Sequence, residues 1–217
     1  MPKWITDWKN ELASGKFKMS SRHEEALARL IPLLLCGEQS AIHVFGNEVE
    51  RLRGVTWTDS IELLKEIESD EYVHEHALQT LSSLLAEPDG LNQIKRKSRH
   101  FYLKFGRAIG VAEHFDRVAH LDACVCIIMN AITKCDLGKG HIITQLFDRI
   151  KKDEARHVFV SNKHSKRLGC DQTLQAENKS IVSSELVSLL RTEADSFESL
   201  GIDSDKLFHK LENVRQR

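Results

Sequence analysis

The segment Asp153-Glu154-Ala155-Arg156-His157 sets a carboxylate and an imidazole three residues apart. At that spacing the two side chains share one face of a helix. The face is otherwise apolar, because Ile143, Phe147 and Ile150 precede them at steps of four and three. Burying an acid and a base on such a stripe is unfavourable unless another group compensates them. The pattern recurs upstream in Glu71-Tyr72-Val73-His74, on a stripe reading Leu64, Ile67, Glu71, His74, Leu78, Leu81, Leu85. Ser69-Asp70-Glu71 and Lys152-Asp153-Glu154 look like two copies of one ancestral hairpin.

Two further helical stripes are interrupted once each. One reads Ile31, Leu34, Glu38, Ala41, Phe45, Val49, Leu52, and the other Ala108, Val111, Phe115, Val118, Asp122, Val125, Met129, Ile132. Short turns near Gly54 and Gly138 make two antiparallel hairpins. Glu38 lies about 17 residues before the first turn and Glu71 about 16 after it; Asp122 and Glu154 each lie about 16 from the second, so at roughly 1.5 Å rise per residue each pair shares one level. Four carboxylates and two imidazoles then converge inside a bundle. Four negative charges balance two divalent cations, and a mixed oxygen and nitrogen set suits iron or manganese better than zinc.

The chain has 217 residues, net charge −1, 41% hydrophobic and 29% charged residues, which fits one soluble domain and gives no global field toward nucleic acid or a membrane. Three prolines and a Leu-, Glu- and Lys-rich composition favour helices. No apolar run is long enough to span a bilayer, and the first residues lack the layout of a signal peptide. Five cysteines without framework spacing point to reduced thiols and a cytoplasmic setting.

The expected architecture is all-α, one domain over 1–217. A short helix occupies 4–14. The first long helix starts after Ser20-Ser21 and runs to Arg53, with Pro32 either kinking it or marking its true start. Thr58 caps the second, which stops before Glu87-Pro88-Asp89-Gly90. Residues 91–107 form a basic segment with interleaved aromatics, Phe101, Tyr102 and Phe105. The third helix spans about 108–134 and the fourth 141–168. A polar link over 171–179 precedes helices over 183–200 and 204–214, so the core bundle is 22–168 and the extension 180–217. His43, His76, His114 and His120 sit off the stripes and are read as solvated or as neighbours of the cluster.

This pattern resembles the ferritin-like di-iron carboxylate superfamily, in which two helices supply one carboxylate each and two supply Glu-x-x-His. Gly37-Glu38-Gln39 with Ala41 is similar to the first iron helix of the aldehyde-deformylating and ubiquinone-hydroxylating members. The Asp-Glu-x-Arg-His string is similar to that of the soluble bacterial hydrocarbon monooxygenases and the arylamine N-oxygenases. The resemblance implies a four-helix bundle of two antiparallel hairpins joined by a crossover, here with added N- and C-terminal helices. It implies two iron ions (or manganese, or a mixed pair) on Glu38, Glu71, His74, Asp122, Glu154 and His157, with dioxygen as co-substrate. Asp122 departs from the glutamate usual there; Glu113 falls off the stripe. The resemblance also implies that Asp70 holds His157 and Asp153 holds His74, with Arg156 screening an aspartate at the surface.

Residues one turn from the ligands would line a substrate cavity: Leu34, Ala41, Ile42, Phe45, Leu78, Val118, Val125, Met129 and Ser161. Such a lining suits an apolar acyl, alkyl or aryl group. The implied activity is oxidation of a small organic substrate, as hydroxylation, N-oxygenation or oxidative C–C cleavage, with an external electron donor. The alternative is ferroxidase or iron handling without an organic substrate. A tyrosyl-radical role is disfavoured, since the positions one turn beyond the ligands carry Leu78 and Ser161. The segment Lys95–Arg107 is either a solvated face or a dock for an anionic partner. A homodimer is compatible with all of this.

Overall fold

The computed structural model describes residues 2–107 and 110–214, the side chains of Gly15 and Lys16 aside. Among them there is no strand. A short helix α1 (Lys3–Glu11) ends in a π-type turn over Leu12–Lys16, and four long helices follow: α2 (Ser21–Arg51), α3 (Thr58–Ser82), α5 (Val111–Ile132) and α6 (Ile142–Arg167), with α4 (Leu91–Phe105) between the two pairs. The chain closes with α7 (Gln172–Leu190), a 3-10 turn at Arg191–Glu193, α8 (Ala194–Ser199) and α9 (Ser204–Glu212). No helix is long and apolar enough to cross a membrane.

α2 packs along α3 and α5 along α6, and the pairs meet through α3 and α6. The apolar stripes form the shared interior: Ile31, Phe45, Leu64, Ile67, Phe147 and Ile150 have no exposed surface. Polar contacts mark the register within and between the pairs: Gln39 of α2 donates to Glu75 of α3 at 2.9 Å inside the first pair, and Arg156 of α6 reaches across to Glu66 of α3 at 3.0 Å between the two.

Several expected boundaries move, each for a local reason. Ser20 caps α2, accepting from the His23 N–H at 3.2 Å, and the helix runs through Pro32. Trp57, not Thr58, stands at the cap of α3 and makes no side-chain cap bond. The basic segment over 91–107 is helical up to Phe105, because Ile94, Ser98, Phe101 and Phe105 line a buried face against α2 and α7 while the charges face out. The expected start of the third helix at Ala108 lies outside the described residues. The link over 171–179 is the first half of α7: the Asp171 carboxylate accepts the Leu174 N–H at 2.9 Å and starts the helix there. The single helix expected over 183–200 is the end of α7, a turn and α8.

The C-terminal helices serve α5. α7 and α9 pack on its outer face and α6 on its inner one, so α5 is buried on both sides. That burial explains why His120 is sealed rather than solvated: its ring contacts Ser183 of α7 at 2.9 Å, and burial draws its pKa down to about 4. The α8–α9 corner is tied back to the α5–α6 turn by the Asp136 N–H, which donates to the Leu200 carbonyl at 2.9 Å. Gly201 is required at that corner, since its φ is +75° and a Cβ would meet the Asp136 carboxylate at 2.3 Å.

Two substitutions separate these contributions in urea unfolding. Asp171→Ala removes the α7 cap and lowers stability by about 1 kcal/mol. Phe147→Ala opens a cavity between the long helices and lowers it by about 3–5 kcal/mol.

Candidate metal centre

Helical periodicity places Glu71 and His74 on the inner face of α3, Glu154 and His157 on that of α6, Glu38 on that of α2 and Asp122 on that of α5. All six are buried. Among the described residues, one ligand atom each from Glu38, Glu71, His74 and Glu154 lie within 4.8 Å of one another. The His74 Nδ1 stands 3.3 Å from Glu38 Oε2, 3.4 Å from Glu154 Oε1 and 3.8 Å from Glu71 Oε2. The His157 Nδ1 stands 3.0 Å from Glu71 Oε1 and 3.6 Å from Glu154 Oε2, with the two rings 5.8 Å apart. Asp122 shares the wall of one cavity with Glu38, Glu71 and Glu154. Glu113 points elsewhere, to Arg117 on its own helix.

Both imidazoles turn Nδ1 inward and Nε2 outward. Asp153 lies 3.4 Å from His74 Nε2, and Asp70 lies 3.3 Å from His157 Nε2, each aspartate serving the ring of the facing helix. An arginine of α6 backs each aspartate: Arg156 pairs with Asp70, and Arg149 lies 3.4 Å from Asp153. Arg149 is absent from the candidates drawn from the sequence, although its i, i+4 spacing to Asp153 could have suggested it.

The inward atoms are short of partners. His74 Nδ1, His157 Nδ1, Glu38 Oε2 and Asp122 Oδ2 are buried and engage in no hydrogen bond, although carboxylate oxygens surround both nitrogens within ion-pair distance. Buried polar atoms rarely stay unpaired, and lone pairs converging on one point are what a cation satisfies. Glu38, Glu71, His74 and Glu154 therefore form a donor set that could hold metal, with His157 against Glu71 and Glu154 and Asp122 on the wall of the same cavity.

Without a cation, protons supply the compensation. Burial first, and the neighbouring Glu71 next, hold the Glu38 carboxyl well above the usual carboxylate range. Burial and Glu154 do the same to Asp122. Burial opposes a charge on His74 and His157, but the carboxylates around them outweigh it, Glu38 foremost for His74 and Glu154 for His157, and both rings are raised. Glu71 moves the other way: burial would raise it, and its contacts with Glu38, His157 and His74 carry it down.

Of the expected cavity lining, Leu34, Ala41, Val118 and Val125 border a cavity of about 50 Å³ beside the cluster. Ile42, Phe45, Leu78, Met129 and Ser161 do not. They are buried in the packing between helices, Phe45 against the Phe115 and His157 rings. Six residues that no stripe revealed complete the wall, among them Gly37, Ser40 and Val44 of α2. Leu121 comes from α5, and Tyr102 and Phe105 come from α4. A tyrosine therefore does stand beside the cluster, delivered by a helix outside the four stripes. Burial raises its phenol far above the ordinary value, reinforced by Cys36, Glu38, Asp122 and Glu154. Gly37 makes room for it, since a Cβ there would lie 2.7 Å from the Tyr102 hydroxyl and 3.4 Å from its Cζ. No protein-family model matches the chain, and no curated protein matches it.

Gly37→Ala should thus lower stability by about 1–3 kcal/mol through overpacking, despite alanine's better helix propensity. In a Tyr102→Phe background, where the clashing oxygen is gone, the same change should be neutral or stabilising. Thermal melts of the four proteins in this cycle check it.

A pH dependence also follows. A group raised in the folded state contributes stability below its unfolded value and loses it as pH rises through the folded one. Carboxylates lowered on folding (Glu71, Glu48, Asp153) have finished titrating by about pH 6.5. His114 and His120, which burial lowers, add stability until their unfolded imidazoles have lost the proton, at about pH 7.5. Above that only raised groups remain, His74 and His157 foremost. The urea midpoint of the metal-free protein should therefore fall from about pH 7.5 to about pH 9. Glu38→Gln removes the largest influence raising His74 and should flatten that fall.

Proposed function

We propose that this chain is a ferritin-like di-iron protein that uses dioxygen to oxidise a small organic substrate. The observation carrying the proposal is the pair of buried imidazoles with orphaned Nδ1 atoms aimed into three carboxylates, Glu38, Glu71 and Glu154, each ring held from behind by an aspartate. Glu38, Glu71, His74, Asp122, Glu154 and His157 would hold two iron ions, with manganese or a mixed pair fitting the same donors. Such a pair supplies dioxygen reduction, which no side chain of this protein offers, and an external electron donor would complete the balance.

The chain's own residues do the rest. Asp153 and Asp70 fix the tautomer of each ring by accepting from Nε2–H, and Arg149 and Arg156 hold those aspartates in place by ion pairing. The apolar wall of Leu34, Ala41, Val118 and Val125 keeps bulk water from the carboxylates. Tyr102 brings a hydroxyl donor into an otherwise acceptor-rich cavity.

The small size of that cavity favours a second reading, ferroxidase or iron handling with no organic substrate. About 50 Å³ admits dioxygen or a few waters and leaves no room for a whole aryl ring. Assembly size in solution separates the two, because a storage shell requires about two dozen subunits. A monomer or homodimer by light scattering supports the oxidase, and a shell overturns it.

Protein purified under iron-replete conditions should contain close to two transition-metal ions per chain. Glu71→Ala with Glu154→Ala should abolish that content by elemental analysis; unchanged content would refute the site. Loading metal-free protein at neutral pH should release protons to an indicator dye, since cations replace the protons on Glu38, Asp122, His74 and His157.

A further inference from the structure

Phe105 has two faces on open space. Its inner face closes the cavity of about 50 Å³ beside the carboxylates. Its outer face forms the floor of a cleft of about 320 Å³ between α4 and α7. The side chain is the last residue of α4 and precedes Gly106, a place where a ring can move without breaking interior helical hydrogen bonds. Phe105 is thus a shared wall of the two spaces, set at a helix end.

The cleft has a polarity of its own. Ile181 and Val182 of α7 form an apolar wall, and Ile181 is 44% exposed there. Lys104, Arg107 and Arg117 stand along the rim. Arg117 is occupied, since it pairs with Glu113 and donates to Asn178 at 2.9 Å. Lys104 pairs with Glu185, but both ends are well exposed and such surface pairs are weak. Arg107 is exposed and pairs with no acidic side chain among the described residues. A cation at the mouth, a greasy wall and a narrow inner chamber describe a ligand with one charged end and a slender apolar body.

We infer that this cleft is the substrate entrance and that the substrate is an anionic amphiphile. A carboxylate or phosphate head sits at Arg107 with help from Lys104, and an unbranched apolar chain passes Phe105 to the metal cavity. This rests on the di-iron reading for the inner chamber alone. It also reconciles an organic substrate with a chamber too small to hold one whole: only the reacting end has to enter.

Binding is tested with decanoate, decyl phosphate and, as the uncharged control, decanol, by calorimetric titration of the metal-free protein. One-to-one binding of either anion and not of decanol is expected, and which anion binds names the head group. Arg107→Glu should weaken binding by roughly tenfold or more. Ile181→Asp, also at the surface, should weaken it as well. In Mn(II)-loaded protein the terminal methyl protons of the bound anion should relax faster than those beside the head. No saturable binding, binding indifferent to Arg107→Glu, or faster relaxation at the head would each overturn the inference. Failure of the protein to take up Mn(II) would instead count against the metal site, while the titration of metal-free protein still decides the cleft.

Discussion

Everything in this protein is arranged around a charge problem at the middle of its long helices. Three carboxylates and two imidazoles are sealed from water within a few ångströms of one another, and a fourth carboxylate, Asp122, stands on the wall of the same cavity. A low-dielectric interior cannot hold them all in their ordinary states, so either protons or cations must balance the set. The direction of each shift follows from that requirement: the Glu38 and Asp122 carboxyls and both imidazoles hold their protons to higher pH than usual. An apolar core of the same volume would be simpler to stabilise than this cluster.

The outer layer exists because α5 cannot face water on either side. α7 and α9 cover the face that carries His120, Cys124 and Ile128, and α4 fills the flank between α2 and α7. The same packing decides the chemistry of the cavity. α4 brings Tyr102 over Gly37 and Phe105 across the opening, so a helix that supplies no ligand sets the size and polarity of the space next to the cluster.

Much of this was legible in the sequence, and the reasons are specific. The period of an α-helix maps residue number onto angle and height, so a polar residue interrupting an apolar stripe is located in two coordinates before any tertiary contact is known. Glu71 with His74 and Glu154 with His157 declare themselves in that way, and equal distance from the turns at Gly54 and Gly138 aligns them with Glu38 and Asp122. The all-helical class follows from the same periodicity. Boundaries were less legible where one side chain outweighs composition: Asp171 starts a helix in a stretch that reads as a polar linker.

What the sequence by itself determined is the inner face of each long helix and the level at which its polar residues lie, because both depend on local geometry. The tertiary structure alone decided what stands opposite them. Five of the nine residues expected to line the cavity are core packing instead, since periodicity does not say where two helices diverge. Tyr102, Phe105 and Arg149 reach the site or its supports from positions that no stripe marks. The crossing of α4 over α2 depends on the fit of a tyrosine to a missing Cβ at Gly37, a contact between residues 65 positions apart that exists only once the chain has packed.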